Sequence, residues 1–236
     1  MIDNYVSVVI PAHNESDRIG EVLSVVLEAK AEGIVDEVIV VDDGSSDRTI
    51  DIVKNFHSVK SVAMSKNHGK GMAMYEGSRL ARGKILLFLD ADLKGLEVKH
   101  IGDLIRPVRQ GKVDVTISLR DPSFLTWPYN VFGLNPVSGE RAIKKLFFQK
   151  IPINSDTGYA IETMMNAFIL KRGLRFLTVR TKGIKNSFKH KKDGFGGFWN
   201  DIKMYKKILK ENPRHLSDWI KMIKRQCRGL KHQDIQ

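Results

Sequence analysis

The chain has almost no cysteine and no long apolar segment. Cys227 is its single cysteine, which excludes a disulfide bond within the chain. No hydrophobic run approaches the roughly 20 residues that a membrane-spanning helix needs, and no charged-then-apolar leader precedes the first predicted strand. We therefore expect a cytoplasmic protein, and peripheral contact with the inner face of the membrane stays open.

Two common nucleotide-binding motifs are also absent. No G-x-G-x-x-G follows the first predicted strand, which argues against a nicotinamide-dependent dehydrogenase. Gly69, Lys70 and Gly71 resemble the end of a P-loop, but that motif requires a glycine where this chain has Met64. The Gly-rich, Arg-containing loop of a nucleotidyltransferase is missing as well, because Pro-Ala-His-Asn-Glu stands at 11–15. A nucleotidyltransferase is therefore kept only as an alternative.

Acidic residues are scarce in the last quarter of the chain. The formal net charge is +12, and residues 180–236 carry 16 Lys and Arg against 5 Asp and Glu. Such a local excess of positive charge attracts phosphate groups on lipids, small molecules or nucleic acids. A non-catalytic protein that binds phosphate surfaces or nucleic acid is therefore an alternative, although no nucleic-acid-binding motif is present and we expect no nucleic acid partner.

Alternating strand and helix patterns predict an α/β protein. Runs of β-branched residues suit strands that are buried on both faces of a parallel sheet, and the helical patterns between them favour a doubly wound, mostly parallel sheet. We expect strands near 5–10, 38–41, 60–64, 84–89, 113–118 and 174–179. We expect helices near 17–32, 71–81, 98–108, 140–149 and 158–171, and a further helix that begins after Ser46. Pro107 should kink or end the helix at 98–108.

We predict one catalytic domain over residues 1–180, with a helical appendage after it. Residues 181–236 read as a basic loop and two amphipathic helices, whose apolar faces either pack on the domain or lie on an anionic membrane. A homodimer is a further possibility for these faces. Prolines and aromatics at 120–139 suit either a lid or acceptor wall, or an irregular connection anchored to the core.

Two carboxylates follow the most apolar predicted strand. Asp90 and Asp92 come directly after the sequence Leu-Phe-Leu and are spaced i and i+2. Alternate side chains of a strand point to the same face, so the two carboxylates could bind one hard cation such as Mg²⁺ or Mn²⁺. The alternative is that they only end a strand and cap the next element.

Four segments resemble the family 2 glycosyltransferases, which have the GT-A fold. They are VVIPAHNE at 8–15, VVDDGSSD at 40–47, NHGKG at 67–71 and LDAD at 89–92, in the order of the family. Together they cover residues 5 to about 120, which would form the nucleotide-sugar half. Two further segments, SGERA at 138–142 and GYAIE at 158–162, are similar to the acceptor half, at about 120–180, of the branch near glucosyl-phosphoglycerate synthases.

The resemblance implies a donor site at the carboxyl ends of the first strands. Asp42 or Asp43 would accept the imide N–H of a uracil-type base, and Glu15 would accept from ribose hydroxyls. Gly69 and Lys70, at the start of a helix, would face an anion. The full set that we expect to bind the donor is Pro11, Ala12, Asn14, Glu15, Asp42, Asp43, Gly69, Lys70, Asp90 and Ala91.

The resemblance also implies a metal site and an acceptor site. Asp90, Asp92 and His190 would hold Mg²⁺ or Mn²⁺. The expected acceptor-binding residues are Arg120, Gly139, Glu140 and Arg141, and the expected catalytic residues are Asp92, Glu162 and Asp156. Asp156 and Glu162 are the candidates for a general base in an inverting transfer. Related enzymes that retain configuration need no such base, so the stereochemistry stays open.

The expected function is metal-dependent glycosyl transfer. The donor would be a UDP- or GDP-sugar. The acceptor would carry a phosphate: it would be a polyprenyl phosphate or other membrane lipid, or a small phosphorylated metabolite such as phosphoglycerate.

Overall fold

The computed structural model describes residues 4–120, 139–153 and 161–186. Within these residues the strands are β1 Val6–Ala12, β2 Glu37–Asp42, β3 Lys60–Ala63, β4 Ile85–Phe88, β5 Leu93–Lys94, β6 Val115–Arg120, β7 Arg141–Lys144, β8 Phe176–Thr181 and β9 Lys185–Asn186. The helices are α1 Ile19–Ala31, α2 Thr49–Lys54, α3 Lys70–Leu80, α4 Val98–Arg109, α5 Lys145–Phe148 and α6 Ile161–Lys171.

Seven of the described strands form one mostly parallel sheet, as predicted. Their order is β3-β2-β1-β4-β7-β6-β8. β7 runs antiparallel to both of its neighbours, β4 and β6, whereas β6 and β8 are parallel. The start of β7 therefore lies at the same edge of the sheet as the carboxyl ends of β1, β2, β4, β6 and β8.

Helices cover both faces of the sheet. Side chains on one face of β1 and β4, such as Val8 and Leu87, pack with α1 and α4. Those on the other face, such as Val9 and Phe88, pack with α3, α5 and α6. Burial on both faces explains why the strands are continuous runs of β-branched and aliphatic residues rather than alternating ones.

Our prediction of a helix at residues 140–149 is wrong. Residues 141–144 form β7, and only the single turn α5 follows. Arg141, Ala142 and Ile143 are fully buried between β4 and β6. A buried segment of three or four residues is too short to show the hydrophobic periodicity of a helix or a strand. Its neighbours in the sheet therefore decide its conformation.

Three smaller differences concern the predicted boundaries. Pro107 lies inside α4, which continues to Arg109, so the proline does not end the helix. The short pairing of β5 with β9 was not predicted, and it extends the sheet-forming part of the chain to Asn186. Residues 121–138 of the predicted lid or wall and the predicted terminal helices lie outside the described residues. None of the described helices has the length and hydrophobicity of a membrane span.

Glu37 joins several strands at the edge of the sheet opposite to the polar loops. It is only 2% exposed and accepts hydrogen bonds from Ser7 Oγ at 2.6 Å, Lys60 Nζ at 2.5 Å and the main-chain N–H of Arg82 at 2.9 Å. Burial raises the pKa of Glu37, but these bonds outweigh burial and lower the pKa to about 2. The carboxylate therefore stabilises the folded state as an anion.

We expect Glu37→Gln to destabilise the fold by about 1–3 kcal/mol at neutral pH, because the amide cannot satisfy all three donors. The wild-type contribution is fully present above the ordinary glutamate pKa of 4.5 and is lost as the pH falls towards 2. Urea unfolding of both proteins between pH 7 and 2 should show a smaller loss of stability with acid in the variant. Glu21→Gln, at an exposed position on α1, is the control. A Glu37→Gln variant that loses as much stability between pH 7 and 2 as the wild type would contradict the prediction.

Candidate functional site

The polar residues of the predicted site gather at one edge of the sheet. The loops after β1, β2 and β4 leave from this edge, and the segment that leads into β7 arrives there. Ligands of open α/β sheets bind at this kind of edge. The predicted residues at this edge in the described structure are Pro11, Ala12, Asn14, Glu15, Asp42, Asp43, Asp90, Ala91, Asp92, Arg120, Gly139, Glu140 and Arg141.

The loops after β1 and β2 are tied to each other through Asn14. Asn14 has a φ of 55°, the left-handed region that asparagine adopts more readily than most residues. Its main-chain N–H donates to Ser45 Oγ at 2.9 Å, and its side-chain oxygen accepts from the N–H of Ser46 at 2.8 Å. The Ser45 hydroxyl in turn donates to the carboxylate of Asp42. These bonds hold the predicted nucleoside-binding loops in one arrangement.

Asp43 positions the start of α3. Its two carboxylate oxygens accept from the main-chain N–H groups of His68 at 2.7 Å and Gly69 at 2.8 Å. The main-chain oxygen of Asp43 accepts from His13 Nδ1 at 2.9 Å. Asp43 therefore connects all three loops of the predicted donor half. Its predicted contact with a nucleotide base stays a prediction.

Glu15 and Asp47 have structural partners in the same region. Glu15 is 5% exposed and pairs with Arg18 at 3.1 Å. Asp47 accepts from the N–H groups of Thr49 at 2.9 Å and Ser16 at 3.1 Å, just before α2. Burial raises the pKa of Asp47, but the bonds from Thr49 and Ser16 outweigh burial and lower it to about 2. Asp47 thus acts as a structural anion.

Asp90 and Asp92 lie in the turn between β4 and β5. β4 ends at Phe88, so strand alternation is not what brings the two side chains to this edge; the turn does. Both are partly buried, and Ala91 between them is buried. The Asp90 carboxylate packs directly on Gly139, where any Cβ atom would overlap it. The turn after β4 and the predicted acceptor segment are therefore in contact.

Lys70 bridges the two halves of the site. Its ammonium nitrogen lies 2.6 Å from Asp90 Oδ1 and 2.6 Å from Glu162 Oε1 on α6. Burial lowers the pKa of Lys70, but the attraction of Asp90 and Glu162 outweighs burial and raises the pKa above its ordinary range. Lys70 was expected to face an anionic ligand from a helix N-terminus; its observed partners are two carboxylates of the protein.

Arg141 lies completely inside the protein behind this bridge. Its Nη1 donates to Asn166 Oδ1 at 3.1 Å. Burial lowers the pKa of Arg141, and the nearby carboxylates of Glu162, Glu140 and Asp90 oppose that shift. Asn166 was missed by the sequence analysis, although its position four residues after Glu162 places the two on one helix face.

We call Lys70, Asp90, Glu140, Arg141 and Glu162 the charged cluster. It contains three carboxylates and two cations, and Asp92 adds a further negative charge in the same turn as Asp90. Carboxylate oxygens are the ligands that Mg²⁺ and Mn²⁺ prefer. The excess of negative charge and the oxygen ligands of Asp90 and Asp92 therefore fit a divalent cation.

The remaining predicted residues lie outside the described structure. These are Asp156 and His190. Among the residues that are described, no group of three or more His, Cys, Asp or Glu is arranged to hold a metal ion. The described chain ends at Asn186, which pairs with Leu93 beside Asp92. The predicted role of His190 as a metal ligand stays a prediction.

Sequence comparisons agree with the motifs. The model for glycosyl transferase family 2 matches residues 7–173. An undecaprenyl-phosphate 4-deoxy-4-formamido-L-arabinose transferase of Edwardsiella ictaluri is 33% identical over 129 residues, which are 52% of this chain and 39% of that protein. A dolichyl-phosphate beta-glucosyltransferase of Trichomonas vaginalis is 39% identical over 98 residues, 37% of this chain and 29% of that protein. The matches thus span less than half the length of these curated relatives.

Structural comparison confirms the predicted GT-A fold. The glucosyl-3-phosphoglycerate synthase of Mycobacterium tuberculosis, solved in complex with Mn²⁺, UDP and phosphoglyceric acid, superposes with a TM-score of 0.68. The two proteins are 24% identical, and the superposition covers 78% of this chain and 71% of the synthase.

We expect Gly139→Ala to destabilise the fold by about 1–3 kcal/mol, because the added methyl group would push the Asp90 carboxylate away from Lys70. Gly102→Ala in α4 is the matched control, since its Cβ atom would meet only the end of the Arg106 side chain at 3.9 Å. The control should be neutral or more stable by up to about 1 kcal/mol. Thermal unfolding of the two variants would contradict this expectation if both behaved alike.

Proposed function

Because the chain belongs to glycosyl transferase family 2, we propose that it transfers a sugar from a nucleotide-diphosphate sugar to a phosphate-bearing acceptor. The observation that carries the proposal is the charged cluster, which joins the turn of Asp90 and Asp92 to the acceptor-side residues Glu140, Arg141 and Glu162. Relatives named for undecaprenyl-phosphate and dolichyl-phosphate transfer, and a structural neighbour solved with UDP, support the substrate classes.

The donor nucleoside would bind over the loops that Asn14 and Asp43 hold together. Asp42 and Asp43 lie at the carboxyl end of β2, where their remaining lone pairs can accept from a base. Main-chain groups of Pro11 and Ala12, and the Glu15 carboxylate, border the same loops. The base and ribose of a UDP- or GDP-sugar would donate to this set of hydrogen-bond acceptors.

Asp90 and Asp92 would hold Mg²⁺ or Mn²⁺, with His190 as the proposed third protein ligand. When bound, such a cation neutralises the charge that develops on the departing nucleoside diphosphate. The protein's part is to hold the ligands in place: the main chain at Gly139 confines the carboxylate of Asp90. A carboxylate that is already positioned loses little further conformational freedom on binding.

Glu162 is the acceptor-side residue whose environment points most directly to a substrate. Lys70 contacts its Oε1 at 2.6 Å, whereas its Oε2 is buried without a hydrogen-bond partner among the described residues. Buried carboxylate oxygens usually have such partners. We assign Oε2 to the hydroxyl of an acceptor such as phosphoglycerate, which it would orient and, in an inverting transfer, deprotonate. A polyprenyl phosphate needs no such base, because its phosphate oxygen, already an anion, would itself receive the sugar.

Arg120 is the residue that we propose for the phosphate of the acceptor. Arg120 is the last residue of β6, two residues after Ser118, whose N–H donates to the main-chain oxygen of Glu140 at 2.9 Å. Arg141 is fully buried, so in this arrangement it supports Glu140 and Glu162. A polyprenyl phosphate would receive the sugar on its phosphate oxygen, and phosphoglycerate on a hydroxyl beside its phosphate. Product analysis with each acceptor would separate them.

We expect UDP or GDP to raise the melting temperature, and more so with Mn²⁺ than without it, because a ligand that binds only the folded state stabilises that state. At a concentration of 100 times Kd the gain is about 2.7 kcal/mol. NAD and an oligonucleotide serve as negative controls in the same thermal-shift experiment. The absence of a shift with any nucleotide would argue for a non-catalytic phosphate-binding surface instead.

We expect Asp92→Asn to lower turnover at least about 100-fold while the fold is kept, because the amide is a poor ligand for a divalent cation. Release of the nucleoside diphosphate with saturating Mn²⁺ measures the effect. Asp103→Asn, on the exposed face of α4 beside Arg106, is the matched control and should turn over like the wild type. Turnover of Asp92→Asn near that of the control would contradict the metal assignment.

A further inference from the structure

We propose that Lys70 competes with the divalent cation for Asp90, and that this competition keeps the affinity of the chain alone for the cation low. The inference rests on the proposed function, because it takes Asp90 as a cation ligand. It assigns Lys70 a second role, as an internal counter-ion whose removal strengthens binding of the cation.

The contact between Lys70 and Asp90 occupies an oxygen that a cation would use. Lys70 Nζ lies 2.6 Å from Asp90 Oδ1. A cation ligated by the same carboxylate at about 2.1 Å would stand only a few ångströms from the ammonium group. Two positive charges at that separation repel each other strongly when the side chains are shielded from water.

Asp90 has little room to avoid this competition. The main chain at Gly139 packs against the carboxylate so closely that a Cβ atom would overlap both of its oxygens. The carboxylate cannot therefore swing towards Gly139 to present itself to a cation away from Lys70. Asp90 can therefore pair closely with Lys70 or with the cation, but not with both at once.

Lys70 is held at Asp90 by a second anchor. Its other contact, Glu162 Oε1 at 2.6 Å, comes from α6 on the acceptor half of the chain. Only 17% of the Lys70 side chain is exposed, so screening by water and salt is reduced. Both contacts make the ammonium group a persistent competitor rather than a passing one.

A nucleoside diphosphate would relieve the competition between Lys70 and the cation for Asp90. Its phosphate oxygens supply additional ligands to the cation and an alternative anionic partner for Lys70. Binding of the cation and the nucleotide would then be coupled through one side chain, and by linkage each would strengthen the other. Without Lys70 the cation would no longer depend on the nucleotide to the same extent.

The test measures binding of Mn²⁺ alone to the 236-residue chain by electron paramagnetic resonance of the free ion. We expect Lys70→Met to bind Mn²⁺ about tenfold more tightly than the wild type. Lys70→Arg, which keeps the charge, should remain within about threefold of the wild type. Lys60→Met is the matched control, since Lys60 pairs with buried Glu37 at the opposite edge of the sheet and its loss changes the net charge equally.

A second pair of variants guards against misfolding of Lys70→Met. Glu162→Gln and the double variant Lys70→Met with Glu162→Gln differ only at Lys70, and the double variant keeps the wild-type net charge. The double variant should bind Mn²⁺ about tenfold more tightly than Glu162→Gln. Equal or weaker binding in the double variant would overturn the inference.

Asp92→Asn separates failure of this inference from failure of the proposed function. Loss of Mn²⁺ affinity in Asp92→Asn together with no gain in the Lys70 variants would refute the competition and leave the metal site standing. Mn²⁺ binding that is indifferent to Asp92, with or without UDP, would refute the metal site and the competition with it. A gain in Lys70→Met that Asp92→Asn cancels would support both.

Discussion

The ion pairs of Lys70 are the constraint on which the candidate site depends. Asp90 lies in the turn after β4 and Glu162 on α6, so one ammonium group joins residues that are 72 positions apart in the chain. Removing a partner from such a buried arrangement leaves an uncompensated charge, which costs more than the pair itself contributes. The donor half and the acceptor half are therefore not independent: a change at Asp90 alters the charge balance around Glu162, and the reverse.

The reversed direction of β7 makes this contact possible. A parallel strand beside β4 would bring its carboxyl end to the polar edge, and Gly139, Glu140 and Arg141 would lie at the opposite edge. Because β7 is antiparallel to β4, with Phe88 opposite Arg141, its first residues arrive where β4 ends. The absence of a side chain at Gly139 then allows the Asp90 carboxylate to pack on the main chain.

The two edges of the sheet use buried carboxylates for different purposes. Glu37 is surrounded by donors from β1, β3 and the segment before β4, so its charge is compensated and its pKa is low. The charged cluster keeps more carboxylates than cations, and Glu162 Oε2 lacks a hydrogen-bond partner among the described residues. A group of interacting buried charges with shifted pKa values is typical of a functional site.

The sequence by itself determined the family, the mostly parallel sheet and the positions of β1, β2 and β4, because a strand buried on both faces needs a continuous apolar run and its end needs turn-forming polar residues. It also located Asp42, Asp43, Asp90 and Asp92 at strand ends. Only the tertiary structure decided that residues 141–144 form a strand, that Lys70 binds Asp90 and Glu162, and that Arg141 is buried with Asn166. Those outcomes depend on neighbours distant in the chain, and local periodicity carries no information about which distant charges will meet.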